Sequence, residues 1–261
     1  CNDWMTGLIP AEAKKLGIPS LFTIHNIHTQ EATLAQLENT GIPAGDFWDE
    51  LYFGTYPESF DESYWANPID LLASGISAAT HTNVVSPTFL DEVAMGHHST
   101  IPPHLSHLLY HKREAGVASG IVNAPDRSFN PQIDPYLPEK YGPRRHHTIK
   151  PKLKKDLQKR LLLKEDPSVP ILFWPSRLDP IQKGCSLLTD ILFQLINDYS
   201  HLGLQIVMIA DGPYQQHFQG IVAYHGISDR IAVQPFSESL SHLGYGGSDF
   251  VLMPSSFEPC G

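Results

Sequence analysis

Several loops in this 261-residue chain carry side chains suited to chemistry. In "PSRLDPIQKG" (175–184), Arg177 and Lys183 lie between an apolar run and a helical stretch that starts near Cys185. Two cations ahead of a helix N-terminus make a place for an anion. Arginine offers a planar fork of donors and lysine a compact charge, a combination suited to a diphosphate. Spacing alone slightly favours a surface loop with two solvated cations. In "SSFEPCG" (255–261), Glu258 follows another apolar run. Its carboxylate could accept hydrogen bonds from sugar hydroxyls, steady a developing positive charge, or cap a helix N-terminus. Pro259 fixes φ there and Gly261 permits an unusual backbone. Cys260 has no sequence-adjacent His to activate it and reads as a small buried residue rather than a nucleophile. His25 and Asn26 in "FTIHNIHTQ" (22–30) sit at a strand end, where they either face a cleft or cap a loop. Asn123 and Asp126 in "GIVNAPDRSFNPQIDPYL" (120–137) either contact a ligand or shape the turn.

The elements that must position these residues form an alternation of strand and helix. Candidate strands are 20–25, 83–86, 119–123, 171–176, 205–210, 231–235 and 250–254. They are short, continuous apolar runs, as strands buried on both faces of a parallel sheet read. Helical periodicity marks 185–198, with Leu187/Leu188, Ile191/Leu192 and Leu195/Ile196. It also marks 151–163, basic on one side and Leu-rich on the other, and 214–226, which stops on Gly226. Residues 42–68 read as an irregular excursion near a domain cleft. The Pro-, Asp- and Asn-rich stretch near 124–150 reads as an ordered linker. This divides the chain into α/β domains at 1–144 and 145–261. His25, Asn123, Arg177, Asp211, Gly212 and Glu258 all follow candidate strands, where parallel sheets hold ligands.

Composition narrows the partners. A formal net charge of −10 disfavours nucleic acid and anionic membrane, and no apolar run reaches the length of a membrane span. The three cysteines fit no disulfide framework or zinc spacing, which suits a reducing compartment. Among the fourteen histidines, the pairs His97–His98 and His146–His147 cannot share one helical face. They read as exposed loop residues, and no metal is expected. The start, "CNDWMTGL", lacks an initiator Met and a signal peptide's features. With the end at "FEPCG", it leads us to expect an internal fragment.

Taken in order, "NDWMTGL", "FTIHNIHTQ", "VVSPTF", "GIVNAPDRSFNPQIDPYL", "SRLDPIQKG" and "PSSFEPCG" resemble the successive signatures of bacterial glycogen synthases and plant starch synthases. These are glycosyltransferases of family five. The resemblance implies the GT-B fold, an α/β architecture of two Rossmann-like domains with parallel sheets facing a cleft, both incomplete here. It implies transfer of glucose from ADP-glucose, a nucleotide sugar, to the non-reducing end of an α-1,4-glucan with retention and without a metal or other cofactor. It implies a cytoplasmic setting, or the plastid stroma in a plant.

Residue by residue, the resemblance gives Arg177 and Lys183 the leaving diphosphate. It places His25 by the anomeric carbon and gives Glu258 the donor hexose hydroxyls. Asp3 falls near the acceptor. Asn26, Asn123, Asp211, Gly212 and Cys260 are further substrate-binding positions. The chain also departs from the pattern. Asn2-Asp3-Trp4-Met5 stands where the family has His-Asp-Trp-His, and "NAPD" where Asn-Gly-Val-Asp or Asn-Gly-Ile-Asp is usual. One residue is added between Arg177 and Lys183, Ser256 replaces an Arg, and "HTQEA" lacks the family's Tyr-Gln-Gly. These differences suggest a divergent branch. They leave two competing expectations: a weak or inactive relative that binds nucleotide or glucan, and a GT-B transferase using another nucleotide sugar.

Overall fold

The structure, a computed structural model, describes residues 1–260. The expectation attached to Gly261 lies outside the described residues. Two compact units emerge, Cys1–Ala124 with Pro259 and Cys260, and Pro125–Glu258.

In the first unit, helices α1 (Ile9–Lys15), α2 (Leu34–Asn39), α3 (Phe60–Ser63), α4 (Leu71–Ala78), α5 (Pro87–Ala94) and α6 (Pro103–Glu114) accompany strands β1 (Leu21–Ile24), β2 (Glu31–Ala32), β3 (Ile69–Asp70), β4 (His81–Val84) and β5 (Ala118–Gly120). The sheet order is β1-β4-β5, all parallel, and β2 pairs with β3 in a separate antiparallel ribbon. The segment before α1 joins β1 through a parallel bridge, Asn2 to Thr23. Residues 42–68 hold two short 3₁₀ turns and α3, and their Phe47, Leu51 and Phe53 enter a cluster with Leu34 and Ile69. The stretch is irregular in path but packed.

The second unit contains α7 (His146–Arg160), β6 (Ile171–Trp174), α8 (Cys185–Asp198), β7 (Gln205–Ile209), α9 (Gln215–His225), β8 (Ile231–Gln234), α10 (Glu238–Gly247) and β9 (Phe250–Val251). Its parallel sheet has the order β8-β7-β6-β9. Alternate side chains serve two cores. Trp174, Ile206, Met208 and Val233 pack with α8 and α9, whereas Phe173, Val207, Ile209 and Ala232 pack with α7 and α10. Both faces are covered, so the period-2 pattern vanishes into continuous apolar runs. Fully burying each of the larger side chains, such as Ile206, Met208 or Val207, contributes roughly 1.5–3 kcal/mol.

Every candidate strand is present, with trimmed ends. The 83–86 strand sits two residues earlier, at His81–Val84, and the 119–123 strand stops at Gly120, leaving Ile121 and Val122 exposed. Burial on both faces holds for β7, whose five residues are all buried, but not for β9, where Phe250 and Val251 are exposed. The 151–163 helix needs correction. It begins at His146 and carries Pro151 inside. His146 and His147 are therefore exposed first-turn helix residues rather than loop residues. Proline lacks an N–H and clashes one turn back, which is why sequence reading started the helix there.

Candidate active site

In the second unit the chain leaves β6 toward β7 on one side and returns with β9 on the other. A crevice opens where strand order reverses in this way, beyond the carboxyl ends of the two strands. The loop 175–184 leaves the end of β6, and residues 252–258 leave the end of β9.

These loops are stitched together. Asp179 Oδ1 accepts from the N–H groups of Ile181 (3.0 Å) and Gln182 (2.7 Å), folding the loop on itself. The Ser256 N–H donates to the Gln182 carbonyl at 2.9 Å, and its hydroxyl reaches the Ile181 and Gln182 carbonyls, both at 3.2 Å. Gly184, with φ +74°, turns the chain into α8, and a Cβ there would stand 2.1 Å from the Pro254 carbonyl oxygen. The outcome is an ion pair of 2.7 Å between Lys183 Nζ and Glu258 Oε1, with the Lys183 side chain 11% and the Glu258 side chain 23% exposed. Ser176 and Ser255, near the two strand ends, have buried hydroxyls with no hydrogen-bond partner among the described residues.

The strand β9 is itself anchored. Asp249 accepts from the Ile171 N–H (2.8 Å) and pairs with the buried Lys154 at 2.7 Å, while Lys154 also donates to the Val169 carbonyl. On the other side, the Leu178 N–H donates to the Asp211 carbonyl (3.0 Å), and Asp211 Oδ1 accepts from the Phe236 N–H (3.0 Å). Gly212 packs so closely that a Cβ would lie 2.5 Å from the Leu178 oxygen. Arg177 is exposed at the start of this loop, and no hydrogen bond or ion pair holds its guanidinium among the described residues.

Residues 1–104 match the starch synthase catalytic domain family. The whole chain aligns with glycogen synthase 2 of Methylococcus capsulatus, 32% identical over 279 residues, and with the glycogen synthase of Nitrosomonas europaea, 33% identical over 272 residues. The catalytic domain of starch synthase IV from Arabidopsis thaliana, solved with ADP and acarbose bound, matches 100% of this chain with a TM-score of 0.80 at 25% identity. Over its whole length the chain is similar to glycogen and starch synthases. It spans about half the length of the curated relatives it matches, 53% and 50% of the two above, and 52% of the solved starch synthase chain.

In the first unit a second polar group forms. Asp3 Oδ1 accepts from the N–H groups of His25 (2.7 Å) and Asn26 (3.2 Å), just past β1. Asp3 itself has a φ of +52°, uncommon outside glycine. Its carboxylate thus fixes the backbone of the post-β1 loop. The His25 side chain is exposed, and the Asn26 Oδ1 is buried without a partner among the described residues. Asn123 is exposed beyond β5, and Cys260 is half-buried with a free thiol. Asp126 caps a short turn by accepting from the Ser128 N–H at 2.8 Å, a bond that lowers its pKa. It shapes the turn.

Sequence reasoning missed Asn2, whose amide Oδ1 lies 3.1 Å from His25 Nε2. It also missed a buried pair, His242 Nδ1 to Asp134 Oδ2 at 2.8 Å, with Phe129 stacked on the imidazole at 3.9 Å. The signal available for Asn2 was its adjacency to Asp3. The members of the second pair are 108 residues apart, and no local signal joins them. Among the described residues no three His, Cys, Asp or Glu gather as metal ligands.

Proposed function

We propose that the protein is a retaining glucosyltransferase that moves glucose from ADP-glucose to the non-reducing end of an α-1,4-glucan. The observation that carries this reading is the Lys183–Glu258 pair at the strand-order reversal, in a chain aligned end to end with glycogen synthases. The ADP and acarbose held by the starch synthase support the same ligand classes, a nucleotide and a glucan. When the bond from the anomeric carbon to the diphosphate breaks, the electron pair leaves on the diphosphate. Lys183, Arg177 and the N-terminus of α8 meet that charge as fixed positive groups, with no metal required. Glu258 accepts from hexose hydroxyls, and its contact with Lys183 holds both groups ready before the donor arrives. His25 and Asn26 are assigned to the sugar, and Asp3 fixes the backbone that carries them. Asn123, Asp211, Gly212 and Cys260 complete the substrate-binding set.

The test is the product of the complete gene, given an oligomaltose primer with ADP-glucose or UDP-glucose, with and without a chelator. Chelator-insensitive transfer from ADP-glucose is expected. Transfer from UDP-glucose alone would reassign the donor, and no transfer from either would leave a relative that only binds.

A further inference from the structure

Residue 2 holds an amide beside the histidine of the sugar side, and the backbone fixes it there. The Thr23 N–H donates to the Cys1 carbonyl (2.8 Å) and the Asp3 N–H to the Thr23 carbonyl (3.0 Å), so residues 1–3 run as an added strand along β1. The Thr6 hydroxyl accepts from the Asn2 N–H at 2.5 Å and donates to the Asn2 carbonyl at 2.7 Å, holding the residue from its other side. From this base Asn2 Oδ1 reaches to 3.1 Å from His25 Nε2. A carbonyl oxygen only accepts, so this contact is a hydrogen bond in the neutral tautomer that carries its proton on Nε2 and keeps Nδ1 as acceptor.

We propose that Asn2 is a positioning residue for His25. It fixes the ring's tautomer and orientation so that Nδ1 offers a lone pair to a hydroxyl of the bound hexose. Asp3, the next residue, accepts from the His25 and Asn26 N–H groups and so fixes the backbone that carries the ring. This role rests on the donor-site reading above. It belongs to this chain in particular, because an amide neither titrates nor competes for the imidazole proton, as a histidine at position 2 would.

The charged side chains in contact with this loop are Asp3, through backbone N–H groups, and Asp70, which accepts from the Thr29 hydroxyl at 2.6 Å. Thr6 is uncharged, and the neighbouring strand places Val84 opposite Ile24. A carboxylate at position 2 would therefore act on the ring directly. The experiment is nitrogen NMR of the ¹⁵N-histidine-labelled chain without substrate. The His25 signal is found among fourteen histidines by its loss in His25→Gln. In the parent the ring is expected to be protonated on Nε2 at pH 8. Asn2→Asp, isosteric and exposed, puts an anion beside the ring and should raise its titration midpoint above the parent's, whereas Asn2→Ala should lower the Nε2–H fraction toward that of a free imidazole. An Nδ1–H ring in the parent, or an unmoved midpoint in Asn2→Asp, would overturn the assignment. The measurement needs no turnover, so it stands even if glucose transfer is not found. If transfer is found, the acid limb of kcat in Asn2→Asp should rise with the midpoint. A limb that stays put while the midpoint moves would deny Asn2 its part in the reaction.

Discussion

At the scale of single residues, the sharpest expectation concerns Lys183 and Glu258. Each truncation to Ala removes one half of the 2.7 Å pair and one proposed substrate contact. Turnover should fall by roughly 10²–10³-fold for Lys183→Ala, in the range seen when one donor to a developing anion is lost, and by a similar factor for Glu258→Ala. Circular dichroism melts should stay close to the parent's, since both side chains lie on loops. Near-normal turnover with either variant would take that residue out of the site. A second expectation concerns Cys185, which is buried at the start of α8. Burial, aided by Asp179, pushes its thiol up to about 11. An unfolded chain ionises its thiol near the ordinary value of 9.0, so the folded state is disfavoured above that range. The contribution is complete at pH 8 and is lost as pH climbs toward 11. Denaturant midpoints measured at pH 8 and pH 10 should show the fall, and iodoacetamide should reach Cys185 only after unfolding.

At the scale of elements, the geometry of the loops depends on one turn. Gly184 combines a φ of +74° with a Cβ position 2.1 Å from the Pro254 oxygen. Gly184→Ala should destabilise the second unit by about 1–3 kcal/mol, the range for backbone strain of this kind. It should also displace Lys183 from Glu258, lowering turnover more than heat stability alone explains. Thermal melts and kcat on the same sample separate the two effects. Much of this framework was legible in the sequence, for a physical reason. Strands covered on both faces must be continuously apolar, and all seven candidate runs became strands. The helix α10 was not legible. "ESLSHLGYGG" has three glycines and little helix propensity, and packing overrides it, with Leu243 and His242 buried. Pro151 hid the first turn of α7 in the opposite way, by imitating a helix start. The Lys183–Glu258 pair was suggested by residue types, but its contact rests on sheet order, which spacing does not encode.

At the scale of the whole molecule, two features stand out. Each unit carries its own sheet and its own buried clusters. Unfolding is therefore expected to depart from a single two-state transition. Scanning calorimetry should return a calorimetric enthalpy larger than the van't Hoff value, and equality of the two would show that the units melt as one. Charge is also segregated along the chain. Ten of the eighteen Lys and Arg fall within 140–164, and 16–111 hold none. No helix among the described residues is long and apolar enough to cross a membrane. The last strand of the second sheet adds a practical consequence. Among the described residues no strand pairs with its outer rim, and Phe250 and Val251 lie uncovered beside it. Such a margin is a template on which a foreign segment can zip itself in, the first step toward clumping during purification. Anyone preparing this chain should guard that rim first, with a lysine in place of Val251.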